Sequence, residues 1–160
     1  MYDRVLYPTD GSDGAEVATA HAIEVARRFE APLHVLYVVD VSAAQSTDAY
    51  DRVPLDATTE ALAGAGEEIV DRVIERAAES GVEVDGTVTE GTPASTIVEF
   101  ADRDDVIVMG THGRTGLDRY LIGSTTEKVV RTADVPVVTV PMTEAEVPDD
   151  VPNAADGDPT

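Results

Sequence analysis

Short, almost continuous runs of apolar residues recur along the first 140 positions, and between them apolar residues follow a helical spacing. Uninterrupted runs of this length indicate buried β-strands. They are Val5–Pro8, Leu33–Val39, Val106–Met109 and Val135–Val140. A fifth segment with Val82, Val84 and Val88 alternates apolar and polar residues, which predicts a strand with one solvent-facing side.

Four helices are predicted between the five strands. The first can begin at the cap residue Ser12, and the second, long and amphipathic, ends at Ser80–Gly81. The third begins at Thr92–Pro93, with proline in the first helical position. The fourth begins at Ser124, where Ser-Thr-Thr-Glu has the form of a capping box. The resulting order, β-α-β-α-β-α-β-α-β, is typical of a doubly wound parallel sheet in the α/β class, with helices on both faces.

Two segments do not fit the strand or helix patterns. Residues 40–56 are polar and rich in Ala and Ser, and we expect a mobile loop there. Residues 142–160 are rich in Pro, Asp and Glu, which predicts an acidic, disordered tail. The chain is therefore interpreted as one domain, residues 1–141, followed by that tail.

The character of each strand predicts its place in the sheet. Strands 1, 2 and 4 are almost continuously apolar, as expected for strands covered on both faces. Strand 3 alternates, and strand 5 contains Pro136, which favours an edge. The predicted order is therefore 3-2-1-4-5, and the chain reverses direction between strands 1 and 4. Ligands bind at such switch points, outside the carboxyl ends of the strands.

The loop that follows strand 4 is unusually rich in glycine, with Gly110, Gly113, Gly116 and Gly123 in fourteen residues. A helix N-terminus offers unpaired N–H groups and a partial positive charge, and flanking glycines allow a phosphate to approach them. Arg114, His112 and the hydroxyls of Ser124 and Thr125 are further candidate ligands of a triphosphate. The alternative is that these glycines only form turns.

The spacing Gly110-x2-Gly113-x9-Gly123-Ser124 resembles the G-2x-G-9x-G(S/T) signature of the ATP-binding universal stress proteins. The segments LYPTDGS (6–12), HVLYVVD (34–40) and VPVVTVP (135–141) are similar to the first, second and last strands of that family. The resemblance implies a five-stranded parallel domain of the adenine nucleotide α-hydrolase-like type, usually a homodimer, with ATP in a cleft.

The resemblance also implies roles for individual residues. Asp10 is expected to face the ribose beside Pro8 and Thr9, and Val38 to offer backbone hydrogen bonds to adenine. The residues expected to line the nucleoside are Met109 and Gly110, and those expected to hold the phosphates are Gly113, Arg114, Gly123, Ser124 and Thr125. The expected cofactor is ATP, with Mg²⁺ or Mn²⁺ bound through the phosphates and no dedicated protein metal site.

Charge and composition indicate the kind of organism, the ligands and the cellular location to expect. The 32 acidic residues outnumber the 11 basic ones, giving a formal net charge of −21, and Lys128 is the only lysine. Such an acidic, lysine-poor composition resembles that of proteins from extreme halophiles, in which concentrated salt screens the self-repulsion. We expect no nucleic-acid binding, because no basic stripe exists. The chain has no cysteine, no run of 18 apolar residues and no signal-like N-terminus, so a cytoplasmic location without a membrane span is expected.

The motifs favour binding over catalysis. No G-x-S-x-G elbow or G-x-x-x-x-G-K-[ST] loop is present, and no nucleophile is found beside a base. The favoured function is a nucleotide-dependent stress-response switch, acting on an unknown protein partner. The alternatives are a scaffold that binds no nucleotide, and a slow ATP hydrolase or self-phosphorylating protein using Ser124 or Thr125. An apolar edge at residues 135–140 predicts a homodimer formed by antiparallel pairing of that strand.

Overall fold

A computed structural model describes residues 1–12, 15–42, 55–111 and 122–141 of the chain. The strands and helices alternate in the predicted order. The strands are β1 (Arg4–Pro8), β2 (Leu33–Asp40), β3 (Val84–Gly91), β4 (Asp105–Gly110) and β5 (Val137–Val140). The helices are α1 (Ala15–Phe29), α2 (Leu55–Glu79), α3 (Pro93–Phe100) and α4 (Ser124–Thr132).

The five strands form one parallel sheet in the order β3-β2-β1-β4-β5, which confirms the predicted topology. The central strands are the apolar ones. Val5, Leu33 and Val106 in β1, β2 and β4 are each 0% exposed. The edge strands are more accessible, and Val138 of β5 is 40% exposed. Continuous and alternating apolar patterns therefore separated central strands from edge strands correctly.

The helices cover the two faces of the sheet in pairs. On one face, α1 and α2 pack their small and β-branched residues against β1, β2 and β4; Ala18, Ala22 and Val73 belong to this cluster. On the other face, α3 and α4 contribute Ile97 and Val129 to a smaller cluster with Leu6 and Ile107. The result is a three-layer α/β/α sandwich with both faces of the central strands buried.

Several boundaries differ from the predicted ones. β3 begins at Val84, because Val82 is buried at the end of the preceding turn and is not part of the strand. β5 begins at Val137, since Pro136 supplies only its carbonyl, which accepts the N–H of Ile107. Residues 43–54 of the predicted mobile loop lie outside the described residues. Its two ends are regular, with β2 extending to Asp40 and α2 beginning at Leu55.

Candidate functional site

The sheet opens at its carboxyl edge between β1 and β4. Their pairing runs from Arg4–Asp105 to Leu6–Ile107. In contrast, β1 stays paired with β2 up to Pro8–Leu36, and β4 stays paired with β5 up to Gly110–Val140. The two central strands therefore separate at the predicted switch point, where a ligand cleft is expected.

Pro8 gives a physical reason for this separation. Val5 and Thr9 direct their N–H groups towards β2, to the carbonyls of Pro32 and Leu36. Because N–H groups alternate in direction along a strand, the nitrogen of Pro8 faces β4, and proline has no hydrogen to donate. The ladder between β1 and β4 thus loses a donor where the strands part.

The loop that follows β1 is held by its own side chains. The Ser12 N–H donates to Oδ1 of Asp10 at 2.9 Å, and the Gly11 N–H donates to Oγ1 of Thr9 at 3.2 Å. Gly11 is needed here because its φ is +72° and a Cβ would overlap Cδ1 of Ile69 in α2. The loop therefore places Thr9 and Asp10, both half-buried, at the edge of the cleft. Asp10 acts at least as a loop cap, and its predicted contact with a ribose stays a prediction.

Helix α4 begins on the other side of the cleft, at an N-cap residue that has no side chain. The N-cap is Gly123, with no side-chain cap hydrogen bond, and its carbonyl accepts the first helical bond from the Glu127 N–H at 2.9 Å. The predicted capping box starting at Ser124 is wrong. Ser124 is the first helical residue, and the carboxylate of Glu127 points along the helix to Arg131 at 2.7 Å. By helix geometry, the N–H groups of Ser124, Thr125 and Thr126 have no acceptor within the helix.

Gly123 is not required by the local backbone conformation. Its φ of −58° and ψ of 152° can be adopted by any residue. Serine, threonine, asparagine or aspartate at the N-cap would direct an oxygen onto the helix N–H groups. Glycine has no side chain with which to occupy those donors. The interpretation that the glycines serve only as turn formers therefore does not explain Gly123.

Two hydrogen bonds connect the start of α4 to the end of β4 and the residue after it, and a third connects that residue to β5. Oγ1 of Thr126 donates to the Gly110 carbonyl at 2.8 Å, and the Gly123 N–H donates to the Thr111 carbonyl at 2.6 Å. The Thr111 N–H in turn donates to the Val140 carbonyl at 3.0 Å. Thr126 is 5% exposed and is a residue that the motif analysis did not single out. The available signal was a third consecutive hydroxyl residue after Gly123.

The remaining predicted site residues fall into two groups. Val38 and Met109 lie near the carboxyl ends of β2 and β4, where Met109 is buried in the smaller apolar cluster and Val38 packs against that cluster. His112, Gly113 and Arg114 lie outside the described residues, so their predicted contacts stay predictions. The structure thus brings the described candidates to one edge of the sheet; they are Pro8, Thr9, Asp10, Val38, Met109, Gly110, Gly123, Ser124 and Thr125.

Two further properties concern the described part of the chain as a whole. No group of three or more His, Cys, Asp or Glu residues is arranged there to hold a metal ion. None of the helices described there has the length and apolar character needed to cross a bilayer.

Comparison with known proteins gives the family. The Universal stress protein family matches residues 1–141. The universal stress protein MJ0531 of Methanocaldococcus jannaschii is 41% identical over 148 residues, covering 91% of this chain and 86% of that protein. Among solved structures, UspA from Lactobacillus plantarum is 30% identical with a TM-score of 0.73, covering 87% of this chain and 97% of that one.

Two solved universal stress proteins of the same fold contain nucleotides. One is a complex with cAMP, 24% identical with a TM-score of 0.62, covering 89% of this chain and 98% of that one. The other, from Archaeoglobus fulgidus, is a complex with dAMP, 24% identical with a TM-score of 0.61, covering 86% of this chain and 97% of that one. At this identity the two likenesses concern the fold alone. The family match over residues 1–141 and the relative from Methanocaldococcus jannaschii are sufficient to conclude that the chain belongs to the universal stress protein family.

Proposed function

We propose that this chain binds ATP in the cleft between β1 and β4. We further propose that it is located in the cytoplasm and acts there as a nucleotide-dependent switch in the stress response. The observation that carries the proposal is the N-terminus of α4. Gly123 caps it with bare backbone in a conformation that does not require glycine. The helix consequently presents N–H donors and a partial positive charge at the switch point of the sheet.

The two sides of the cleft contact different parts of ATP, the phosphates on one side and the nucleoside on the other. On the α4 side, Gly123, Ser124 and Thr125 bind the phosphates through backbone N–H groups and hydroxyls, with Gly113 and Arg114 completing the contacts. On the β1 side, the loop of Pro8, Thr9 and Asp10 contacts the ribose. The backbone of Val38 and the surface of Met109 and Gly110 contact the nucleoside. The arrangement of the described residues fits this division, since they lie along one edge of the sheet.

A divalent cation belongs to the proposal because the protein is itself strongly acidic. The net charge of −21 opposes the approach of another anion, and the only described cations of α4 are Lys128 and Arg131. Mg²⁺ or Mn²⁺ bound through the phosphate oxygens neutralises part of the charge of ATP. Concentrated salt acts in the same direction by screening the protein, as expected for a halophile.

The signal of the switch comes from a difference in affinity between two states, not from hydrolysis. The two candidate changes are in the segment 40–56 and in a homodimer formed through the strand at residues 135–140. The second is supported by exposed apolar side chains in β5 and in and before α4. Ile122, which precedes α4, is 48% exposed, as is Val130 of α4, and Val138 of β5 is 40% exposed. Pairing between two copies of this edge would cover them.

Calorimetry with ATP and Mg²⁺ in molar KCl tests the proposal, using Gly123→Val and a matched glycine variant. Valine fits the φ and ψ of Gly123, so it blocks the approach of the phosphates without straining the backbone. Gly64→Val is the control, because Gly64 lies in α2 with nothing within 4 Å of a new Cβ.

The expected result is saturable ATP binding by the wild type and Gly64→Val, and a loss of at least roughly tenfold in affinity for Gly123→Val. Circular dichroism shows whether each variant is folded. A folded wild type that binds no ATP would refute the proposal and favour a scaffold function. Equal affinity of all three proteins would show that any bound ATP is held elsewhere.

A further inference from the structure

Thr126 is the buried hydroxyl residue that connects the two central elements of the proposed site. It is the third residue of α4, and its Oγ1 donates to the carbonyl of Gly110, the last residue of β4, at 2.8 Å. The side chain is only 5% exposed, so this bond is made away from bulk water. Its role differs from that of Ser124, which is exposed at the start of the same helix.

A second hydrogen bond acts together with that of Thr126, and its acceptor is Thr111, the residue after Gly110. The Gly123 N–H donates to the Thr111 carbonyl at 2.6 Å. The consecutive carbonyls of Gly110 and Thr111 are therefore bound by Thr126 of α4 and by its N-cap residue, Gly123. Two bonds at different points of the helix start restrict its rotation as well as its distance from the strand. The direction in which the remaining N–H groups point is set by this pair of contacts.

We infer that Thr126 is a positioning residue that aims the N-terminal N–H groups of α4 at the phosphates of a bound nucleotide. The inference rests on the proposed ATP site and assigns no contact between Thr126 and the ligand. Because hydrogen bonding to a phosphate depends steeply on direction, a small rotation of the helix start weakens the phosphate contacts. The contacts proposed for Thr9, Asp10 and Val38 with the nucleoside do not depend on α4. The position of Gly110, which also lines the nucleoside, is held by its pairing with Val140 of β5.

The test compares ATP with adenosine as probes of Thr126→Val and Thr126→Ser. Valine keeps the shape of threonine and removes the hydroxyl, whereas serine keeps the hydroxyl. We expect roughly tenfold weaker ATP binding for Thr126→Val, unchanged adenosine binding, and recovery of most of the ATP affinity in Thr126→Ser. The measurements are made by calorimetry on the full chain in molar KCl with Mg²⁺.

Two controls separate positioning from general destabilisation. Val129→Ala shortens a fully buried side chain of the same helix and lowers stability without removing the hydroxyl that bonds to Gly110. Thr132→Val removes a similar hydroxyl bond, 2.7 Å to the Lys128 carbonyl, at the far end of α4. Both are expected to bind ATP like the wild type while folded.

The outcomes distinguish this inference from the proposed function. Wild-type ATP binding that is unchanged in Thr126→Val would overturn the positioning role and leave the ATP site in place. An equal loss for ATP and adenosine, or the same loss in Val129→Ala, would show that Thr126 is only structural. A folded wild type without ATP affinity would remove the proposed function and this inference with it.

Discussion

Arg4 and Asp105 form an ion pair at the amino end of the sheet, opposite the candidate site. Nε of Arg4 lies 3.2 and 3.1 Å from the two carboxylate oxygens of Asp105, which is 2% exposed. The two residues are register partners in the ladder between β1 and β4. The Asp105 carboxylate also accepts the Asp102 N–H at 2.8 Å and raises the pKa of the Arg4 guanidinium.

Removing the cation of this pair should destabilise the domain strongly. Arg4→Met leaves the Asp105 carboxylate buried without its partner, and we expect a loss of about 3 kcal/mol in the free energy of unfolding. The double variant Arg4→Met/Asp105→Leu should lose less than the single one, since no charge is then buried. Urea unfolding in molar KCl measures both. A single variant as stable as the wild type would contradict the expectation.

Stability should fall at alkaline pH through Tyr7. Its hydroxyl lies against the first residues of α1, donating to the Ala15 carbonyl at 2.9 Å and lying 2.8 Å from Oγ1 of Thr19. Burial raises the pKa of Tyr7 above the ordinary value of 10.0. The folded state therefore holds this proton more tightly than the unfolded state. The resulting stabilisation is complete below pH 10.0 and is lost as the pH rises through the folded-state pKa.

Tyr7→Phe tests this pH dependence. At neutral pH it should lower the free energy of unfolding by about 1 kcal/mol, because two hydrogen bonds are lost. Above pH 10.0, its stability should decrease less steeply than that of the wild type. Chemical unfolding across this pH range gives the comparison, with Tyr2→Phe, at a half-buried tyrosine near the surface, as the control. Parallel curves for the wild type and Tyr7→Phe would show that Tyr7 does not cause the alkaline loss.

Salt should stabilise this chain well beyond its effect on ordinary proteins. The chain has a net charge of −21, so its acidic side chains repel one another. Salt screens this repulsion, because the Debye length falls from about 10 Å at 0.1 M to about 3 Å at 1 M. We expect the Tm to rise steadily with KCl over that range. The variant Glu60→Gln/Glu67→Gln/Glu75→Gln, altered at three exposed positions of α2, should depend less on salt. Equal salt slopes for the two proteins would rule out screening as the cause.

The exposed edge at β5 predicts a dimer that a single charge can disrupt. Val138→Asp places a carboxylate on the edge strand and should convert a wild-type dimer to monomer in high salt. Phe29→Asp is the matched control, because Phe29 is 39% exposed against 40% for Val138 but belongs to α1. Light scattering coupled to size exclusion measures the mass. A monomeric wild type, or a dimer that survives Val138→Asp, would contradict pairing through β5.

The strand order was predictable because it depends on how deeply each strand is buried, and the apolar pattern of a strand indicates its burial. Val106–Met109 had no polar position and became a buried central strand, while Pro136 marked the edge. The start of α4 was less predictable. Both Gly123 and Ser124 are good N-cap residues, and the choice between them depends on the Gly123 bond to Thr111, a contact between separate elements. Likewise, nothing local decides whether the hydroxyl of Thr126 faces a ligand or the Gly110 carbonyl.

The early separation of β1 and β4 also makes the sheet mechanically uneven. Three residue pairs join these strands, whereas eight pairs join β2 and β3. A load pulling the sheet apart across its middle would therefore meet its shortest ladder there. Helix α1 lies beneath that seam, where its buried alanines Ala18, Ala22 and Ala26 share one apolar cluster with Val5 and Val106. The sheet is thus open between its two central strands at their carboxyl ends, and the packing of α1 against one face holds these strands together.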